Sequence, residues 1–140
     1  MADGEECVIH GDPGLNSTVF RDGMPTALID WDGCRPGRRL DDLAYMAWSW
    51  CILERMPIPI TRQATLLREL HDGYGDFEPE PLLDAMVERQ TEVADAETRI
   101  LHDPGHTPER RAHALTAVEW ATACRALVLQ HRPLLLSALR

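Results

Sequence analysis

The run His10-Gly11-Asp12-Pro13-Gly14-Leu15-Asn16-Ser17 sets a carboxylate close to an amide and a hydroxyl, and Ala27-Leu28-Ile29-Asp30-Trp31-Asp32 brings further carboxylates to the end of an apolar run. Phosphoryl transfer needs one carboxylate to accept or orient the proton of an attacking hydroxyl, and others to hold magnesium against phosphate oxygens. Magnesium keeps several waters, so two or three protein oxygens suffice. These residue types in this order imply a magnesium-dependent phosphoryl-transfer site.

The elements between the two motifs must bring them together. Thr18 to Arg21 and Met24 to Ile29 flank Asp22-Gly23, and Asp-Gly between apolar runs is a strong hairpin signal. A two-residue turn there sets Arg21 opposite Met24 and Ser17 opposite Leu28. In that register Ser17 shares a face with Asp30 and Asn16 points away. Pro25 can lengthen the loop and flip the parity. In either register Asp12, the Asn16/Ser17 pair and Asp30 converge at one end of the hairpin.

The two motifs resemble the catalytic loop and metal-binding strand of the aminoglycoside phosphotransferase and choline kinase-like family, whose fold is that of the protein kinases. In that family His-Gly-Asp takes the place of the kinase His-Arg-Asp, and Ile-Asp-Trp-(Asp/Glu) that of Asp-Phe-Gly. The resemblance implies Asp12 as catalytic base and Asp30 as principal magnesium ligand. At the position where the family carries its second magnesium ligand, an Asn, this chain has Ser17, and the Asn stands one place earlier at Asn16. Either Asn16 reaches the metal through an altered loop or Ser17 serves in its place. The stretch from Arg35 to Tyr45 is similar to the family's segment after the metal strand, where Asp-Leu-Ala opens a helix. That makes Asp42 structural, tying the helix start to the catalytic loop. The motifs cover roughly the first third of the chain, and three in the right order carry far more weight than one.

Each of these residues also has a simpler reading. His10 reads as a buried, hydrogen-bonded histidine that shapes the loop. Asp32 reads as an acid behind the metal ligands, a weak magnesium ligand or a helix cap. Trp31 is most simply a core aromatic. For Asp12 and Asp30 the alternative is a pair of turn and capping aspartates, which the ordered context disfavours.

The 140 residues, 44% apolar and 26% charged, suit one small domain. No run is long enough to span a membrane and the first residues do not form a secretory signal, so the expectation is a cytoplasmic protein without a membrane partner. Cys7, Cys34, Cys51 and Cys124 lack zinc or redox spacing and read as reduced, mostly buried thiols. His102-Asp103-Pro104-Gly105-His106 reads as a helix connection. A net charge of minus 9 argues against nucleic acid and favours a cationic acceptor such as a polyamine. Arg35, Arg38 and Arg39 form a basic cluster that either steers nucleotide phosphates or is solvated loop charge.

After the hairpin the apolar spacing is helical. Leu40 to Met56, Thr61 to His71, Pro81 to His102 and about 108–131 give four helices, with a short tail after Arg132-Pro133. The fold expected is α+β and mostly helical: a protein kinase-like C-terminal lobe with a β-hairpin and catalytic loop on a bundle of about four helices. It forms a single domain over 1–140, with the loop, hairpin and metal strand in 1–33 and a helical subdomain in 34–140. The Gly-rich loop, strand lysine and helix glutamate of complete family members are not found, and the chain contains no lysine, so the N-terminal nucleotide lobe is expected to be absent. Two readings follow. One is a phosphotransferase half that moves the gamma-phosphate of ATP or GTP, with Mg2+, to a hydroxyl of a small molecule, a partner chain or upstream segment supplying the lobe. The other is a non-catalytic remnant or binding module. Trp48, Trp50, Glu54, Asp76 and Glu78 are the acceptor-site candidates.

Overall fold

Two short antiparallel β pairs sit at one end of a mostly helical chain, in a computed structural model that describes residues 7–75 and 77–140. The first element, β1 (Cys7–Ile9), pairs with β4 (Arg35–Gly37). The two strands approach closely at Gly37, where a Cβ would lie 2.7 Å from Ile9 Cδ1 and would have to displace that side chain. This second sheet was not expected, since an Arg-Pro-Gly strand carries no alternating apolar pattern.

The hairpin joins β2 (Thr18–Arg21) to β3 (Met24–Leu28) around Asp22 and Gly23, whose φ angles of 52° and 76° are those of a two-residue hairpin turn with both residues left-handed. Arg21 faces Met24, but Phe20 faces Pro25 and Val19 faces Ala27, so Thr26 is an extra residue and Thr18, not Ser17, lies opposite Leu28. Pro25 lacks an N–H for a regular ladder, and the bulge beside it corrects the register expected for Ser17.

Helix α1 (Arg39–Met46) begins where the Asp41 carboxylate accepts from the Arg38 backbone N–H at 3.1 Å, and it runs into a wider π turn over Ala47–Cys51. Gln63 then pins the connection to the next helix. It is buried, with Oε1 accepting from Leu53 N–H and Nε2 donating to the Ile58 carbonyl, both at 2.9 Å. Helices α2 (Ile60–Tyr74), α3 (Pro79–His102) and α4 (Pro108–Gln130) follow, the last capped by the Thr107 side chain, which accepts from Arg110 N–H. Where a tail was expected there is a fifth helix, α5 (Arg132–Leu139). Pro133 closes α4 and opens α5, because a proline in the first turn forfeits no helical hydrogen bond.

Leu43, Trp48, Ile52, Leu67, Met86, Val128 and Leu135 are fully buried and knit α1 to α5 into one core. Each such side chain contributes roughly 1.5–3 kcal/mol by leaving water. The hairpin is the opposite case: residues 21–30 are all exposed, and Val19, Phe20, Met24, Leu28 and Ile29 present apolar surface to solvent with Trp31. Trp31 is therefore a surface ring and not a core aromatic. Among the described residues no helix is long and apolar enough to cross a membrane.

A candidate active site between the His10–Ser17 loop and the helices

Asp42, at the start of α1, holds the loop from behind. Its Oδ2 accepts from His10 N–H at 2.7 Å and its Oδ1 from Gly11 N–H at 2.9 Å. Gly11 has φ +87°, and a Cβ there would meet the Gly33 carbonyl at 2.8 Å, so the turn admits only glycine without strain. Arg89 of α3 closes the other side, donating to the Gly11 carbonyl at 2.9 Å. Trp50 donates from Nε1 to the Pro13 carbonyl at 3.1 Å.

His10 is buried and its ring nitrogens are both used. Nδ1 accepts from Asp12 N–H at 3.2 Å, which leaves Nε2 as the donor to the Ile29 carbonyl at 2.9 Å. The ring lies 4.5 Å from that of Trp31. Ile29 N–H in turn donates to Ser17 O at 2.9 Å, so the backbone just before Asp30 is anchored on both sides. Asp30 is exposed and left-handed, with φ 64° and ψ 61°. Asp tolerates that region better than most residues, but a non-glycine there still stores on the order of 1 kcal/mol. Asp32 lies exposed in the 3-10 turn Trp31–Gly33 that follows.

Asp12 opens onto a cleft of about 530 Å3 bounded by the loop, α1, α3 and α4. Asn16 lines this cleft with Asp12, whereas Ser17 is buried and lies outside it. Asp30 is not part of the cleft wall. The structure thus groups Asp12 with Asn16, and ties the neighbouring Asp30 segment to them through the contacts of the His10 ring and the Ser17 carbonyl with Ile29.

Tyr45 of α1 also faces the cleft, beside Asp12. Burial first, then the nearby Asp12 carboxylate, pushes the pKa of its hydroxyl well above the usual tyrosine value. The Arg89 guanidinium lies 5.6 Å from the centre of the Tyr45 ring and opposes the shift. A Cβ on Gly14 would stand 3.3 Å from that ring, so the loop approaches α1 closely. Ser49, one helical turn on, also faces the cleft. The helical spacing of Tyr45 and Ser49 was the available signal.

Four of the five acceptor-site candidates fall among the described residues, and none of those four lines this cleft. Trp48 is buried and stacks on Trp120 at 4.2 Å, leaving Trp120 as the cleft-side indole. Trp50 is committed to Pro13, Glu54 and Glu78 are exposed away from the cleft wall, and Asp76 lies outside the described residues. The Arg cluster is structural in part: Arg38 holds Asp41 at 2.7 Å and Arg39 lies over the Phe77 ring. All four cysteines are free, and Cys7 and Cys34 are exposed where mostly buried thiols were expected. Among the described residues no three His, Cys, Asp or Glu side chains cluster as a ready-made metal centre. The His102–His106 segment connects α3 to α4.

Comparison with known proteins agrees with this geometry. The model of the phosphotransferase enzyme family, APH, matches residues 1–82, the stretch that holds both acidic motifs and α1. The trifolitoxin immunity protein of Rhizobium leguminosarum bv. trifolii is 30% identical over 149 aligned residues, which cover 99% of this chain and 56% of that protein. The chain therefore spans little more than half the length of this relative. No solved structure matches. With the family model covering more than half of its residues, the chain belongs to the APH phosphotransferase enzyme family.

Proposed function

We propose that the protein is the catalytic and acceptor-binding half of a small-molecule phosphotransferase, built as a kinase-like C-terminal lobe. The observation that carries this reading is the Asp12 carboxylate, held on a rigid loop at the mouth of a cleft whose volume suits a small metabolite. An acceptor hydroxyl bound there passes its proton to Asp12 as its oxygen forms the new bond to the gamma-phosphorus of ATP or GTP, and the bond to the departing nucleoside diphosphate breaks. Tyr45 orients the Asp12 carboxylate through its hydroxyl. Asp30, with the Asn16 amide or the Ser17 hydroxyl, offers hard oxygen donors that suit magnesium. When bound, that ion neutralises charge on the phosphate oxygens. The exposed apolar surface of the hairpin and Trp31 is where we place the nucleotide lobe, supplied by another stretch of polypeptide.

A second reading is favoured by the name of the relative. A protein similar to one called an immunity protein could bind a toxin through the same fold without turnover. The two are separated by 31P NMR of the chain combined with a family nucleotide lobe, magnesium, ATP or GTP and a mixture of hydroxylated metabolites. A phosphorylated product that falls by about 10²-fold or more in Asp12→Asn supports the kinase. Absence of any product with either donor favours the binding protein.

A further inference from the structure

Whole-chain charge and local cleft charge point to opposite ligands. The net charge of minus 9 draws cations to the surface, but such a field is screened over about 8 Å at physiological salt, and contacts inside a cleft decide what is held there. Two carboxylates line this cleft, and both are engaged. Glu97 is gripped by both terminal nitrogens of Arg110, at 2.8 and 3.0 Å, and Asp12 faces the Tyr45 hydroxyl, whose pKa it raises.

The cleft cations are not equally engaged. Arg89 is bound to Glu92 at 3.0 Å and to the Gly11 carbonyl. Arg55, on the connection after α1, donates one nitrogen to the neutral Thr116 carbonyl at 3.1 Å, and among the described residues no carboxylate pairs with it. A guanidinium carries five N–H donors in a planar fork that matches a carboxylate or phosphate. His113 lines the same wall, one turn of α4 before Thr116. Trp120, backed by Trp48, gives that wall a flat apolar face, and the buried Ser49 Oγ has no partner among the described residues.

Resting on the phosphotransferase reading, we infer that the acceptor is an anionic hydroxy compound, its carboxylate or phosphate oxygens held by Arg55 and its body lying against Trp120. This replaces the cationic acceptor expected from net charge.

The test uses the full 140-residue chain without nucleotide or metal, followed by ligand-observed NMR. Four probes share one ring and one hydroxymethyl group: 4-(hydroxymethyl)benzoate, 4-(hydroxymethyl)phenylphosphonate, 4-(hydroxymethyl)benzamide and 4-(aminomethyl)benzyl alcohol. At least one anion should bind about tenfold more tightly than the amide and the amine, and Arg55→Gln should reduce that preference below about threefold while Arg21→Gln on the hairpin leaves it intact. Tighter binding of the amine, a preference that survives Arg55→Gln, or no binding by any probe would overturn the inference. Because no phosphoryl donor is present, loss of turnover in the preceding experiment leaves this result standing. Conversely, transfer to neutral or cationic acceptors alone would refute the anionic acceptor and leave the phosphotransferase reading intact.

Discussion

His10 Nε2 lies 2.9 Å from the Ile29 carbonyl, and this contact locks the loop that carries Asp12 to the strand end that carries Asp30. The same ring accepts from Asp12 N–H, so one buried imidazole sets the spacing of two acids that are far apart in sequence.

Replacing that ring by an apolar one of similar size isolates its polar contribution. His10→Phe leaves the Ile29 carbonyl and the Asp12 N–H without their partner, and a buried unsatisfied polar group costs about 1–3 kcal/mol. Urea unfolding should show a loss in that range. No change in midpoint would mean that the contacts do not bind the two segments together.

Asp42 makes a sharper case, because both of its oxygens accept backbone N–H groups. Asp42→Asn turns one acceptor into a donor that faces an N–H, and should cost about 1.5–3 kcal/mol, the range for hydrogen bonds to charged groups. Amide hydrogen exchange at His10 and Gly11 should accelerate more than at the core helices. Uniform acceleration over the whole chain would indicate global unfolding in place of a local loop defect.

How far the site could be read in advance follows from the range of each interaction. Asp12, Asp30 and Asp42 stand in fixed local motifs, and the Asp-Gly turn is set by its own two residues, so sequence order sufficed for the hairpin and the helical run behind it. The bulge at Thr26 was hidden because Pro25 allows more than one register, and Asn16 and Ser17 lie in a 3-10 turn, Leu15–Ser17, just before β2, where the two-residue alternation of a strand does not apply. The cleft wall was harder still. Arg89 and Trp120 share a cleft with Asp12 only through the packing of α3 against α4, Arg55 only through its bond to the Thr116 carbonyl of α4, and an amphipathic pattern reports which face is apolar but not which loop it covers. Arg35-Pro36-Gly37 becomes a strand only because Cys7 to Ile9 lies alongside it.

Two glycines with left-handed backbones separate conformational cost from collision. At Gly23 (φ +76°) a Cβ meets nothing within 4 Å, so Gly23→Ala should cost only about 1 kcal/mol. Gly11→Ala adds contacts of 2.5 Å with Arg35 and 2.8 Å with the Gly33 carbonyl, and should cost about 1–3 kcal/mol more. Thermal unfolding of both variants checks the order, and equal losses would show that the Gly33 turn yields freely.

Alkaline pH should weaken the fold from a defined side. Burial raises the thiols of Cys51, to about 12, and Cys124, and burial plus the neighbouring Asp12 carboxylate raises the phenol of Tyr45. These acids keep their protons in the folded state, whereas in the unfolded chain they ionise near pH 8.5 for Cys and 10 for Tyr. Their contribution is complete below those unfolded values and is lost as pH rises toward the folded ones. Stability should therefore fall progressively above about pH 9, and Tyr45→Phe should flatten the part of the decline above about pH 10. An unaltered slope in that variant would remove Tyr45 from the account.

The metal site turns on the residue pair that the bulge rearranges. Magnesium asks for near-octahedral oxygen ligands, and a carboxylate at Asp30 needs a second donor from the loop. Asn16 is exposed on the cleft beside Asp12, while Ser17 is buried and its carbonyl is already committed to Ile29 N–H. The amide is also the longer and more accessible donor, so Asn16→Ala should weaken magnesium binding about tenfold and Ser17→Ala should change it less than threefold, in the range of single-ligand and supporting-contact losses. Asp30→Asn should abolish binding, and Asp12→Asn should spare binding while removing the chemical step. Manganese titration followed by electron paramagnetic resonance, in protein completed by a nucleotide lobe, reads all four variants. A larger loss in Ser17→Ala than in Asn16→Ala would return the ligand role to the serine, and equal losses in Asp12→Asn and Asp30→Asn would show that the two acids share the metal.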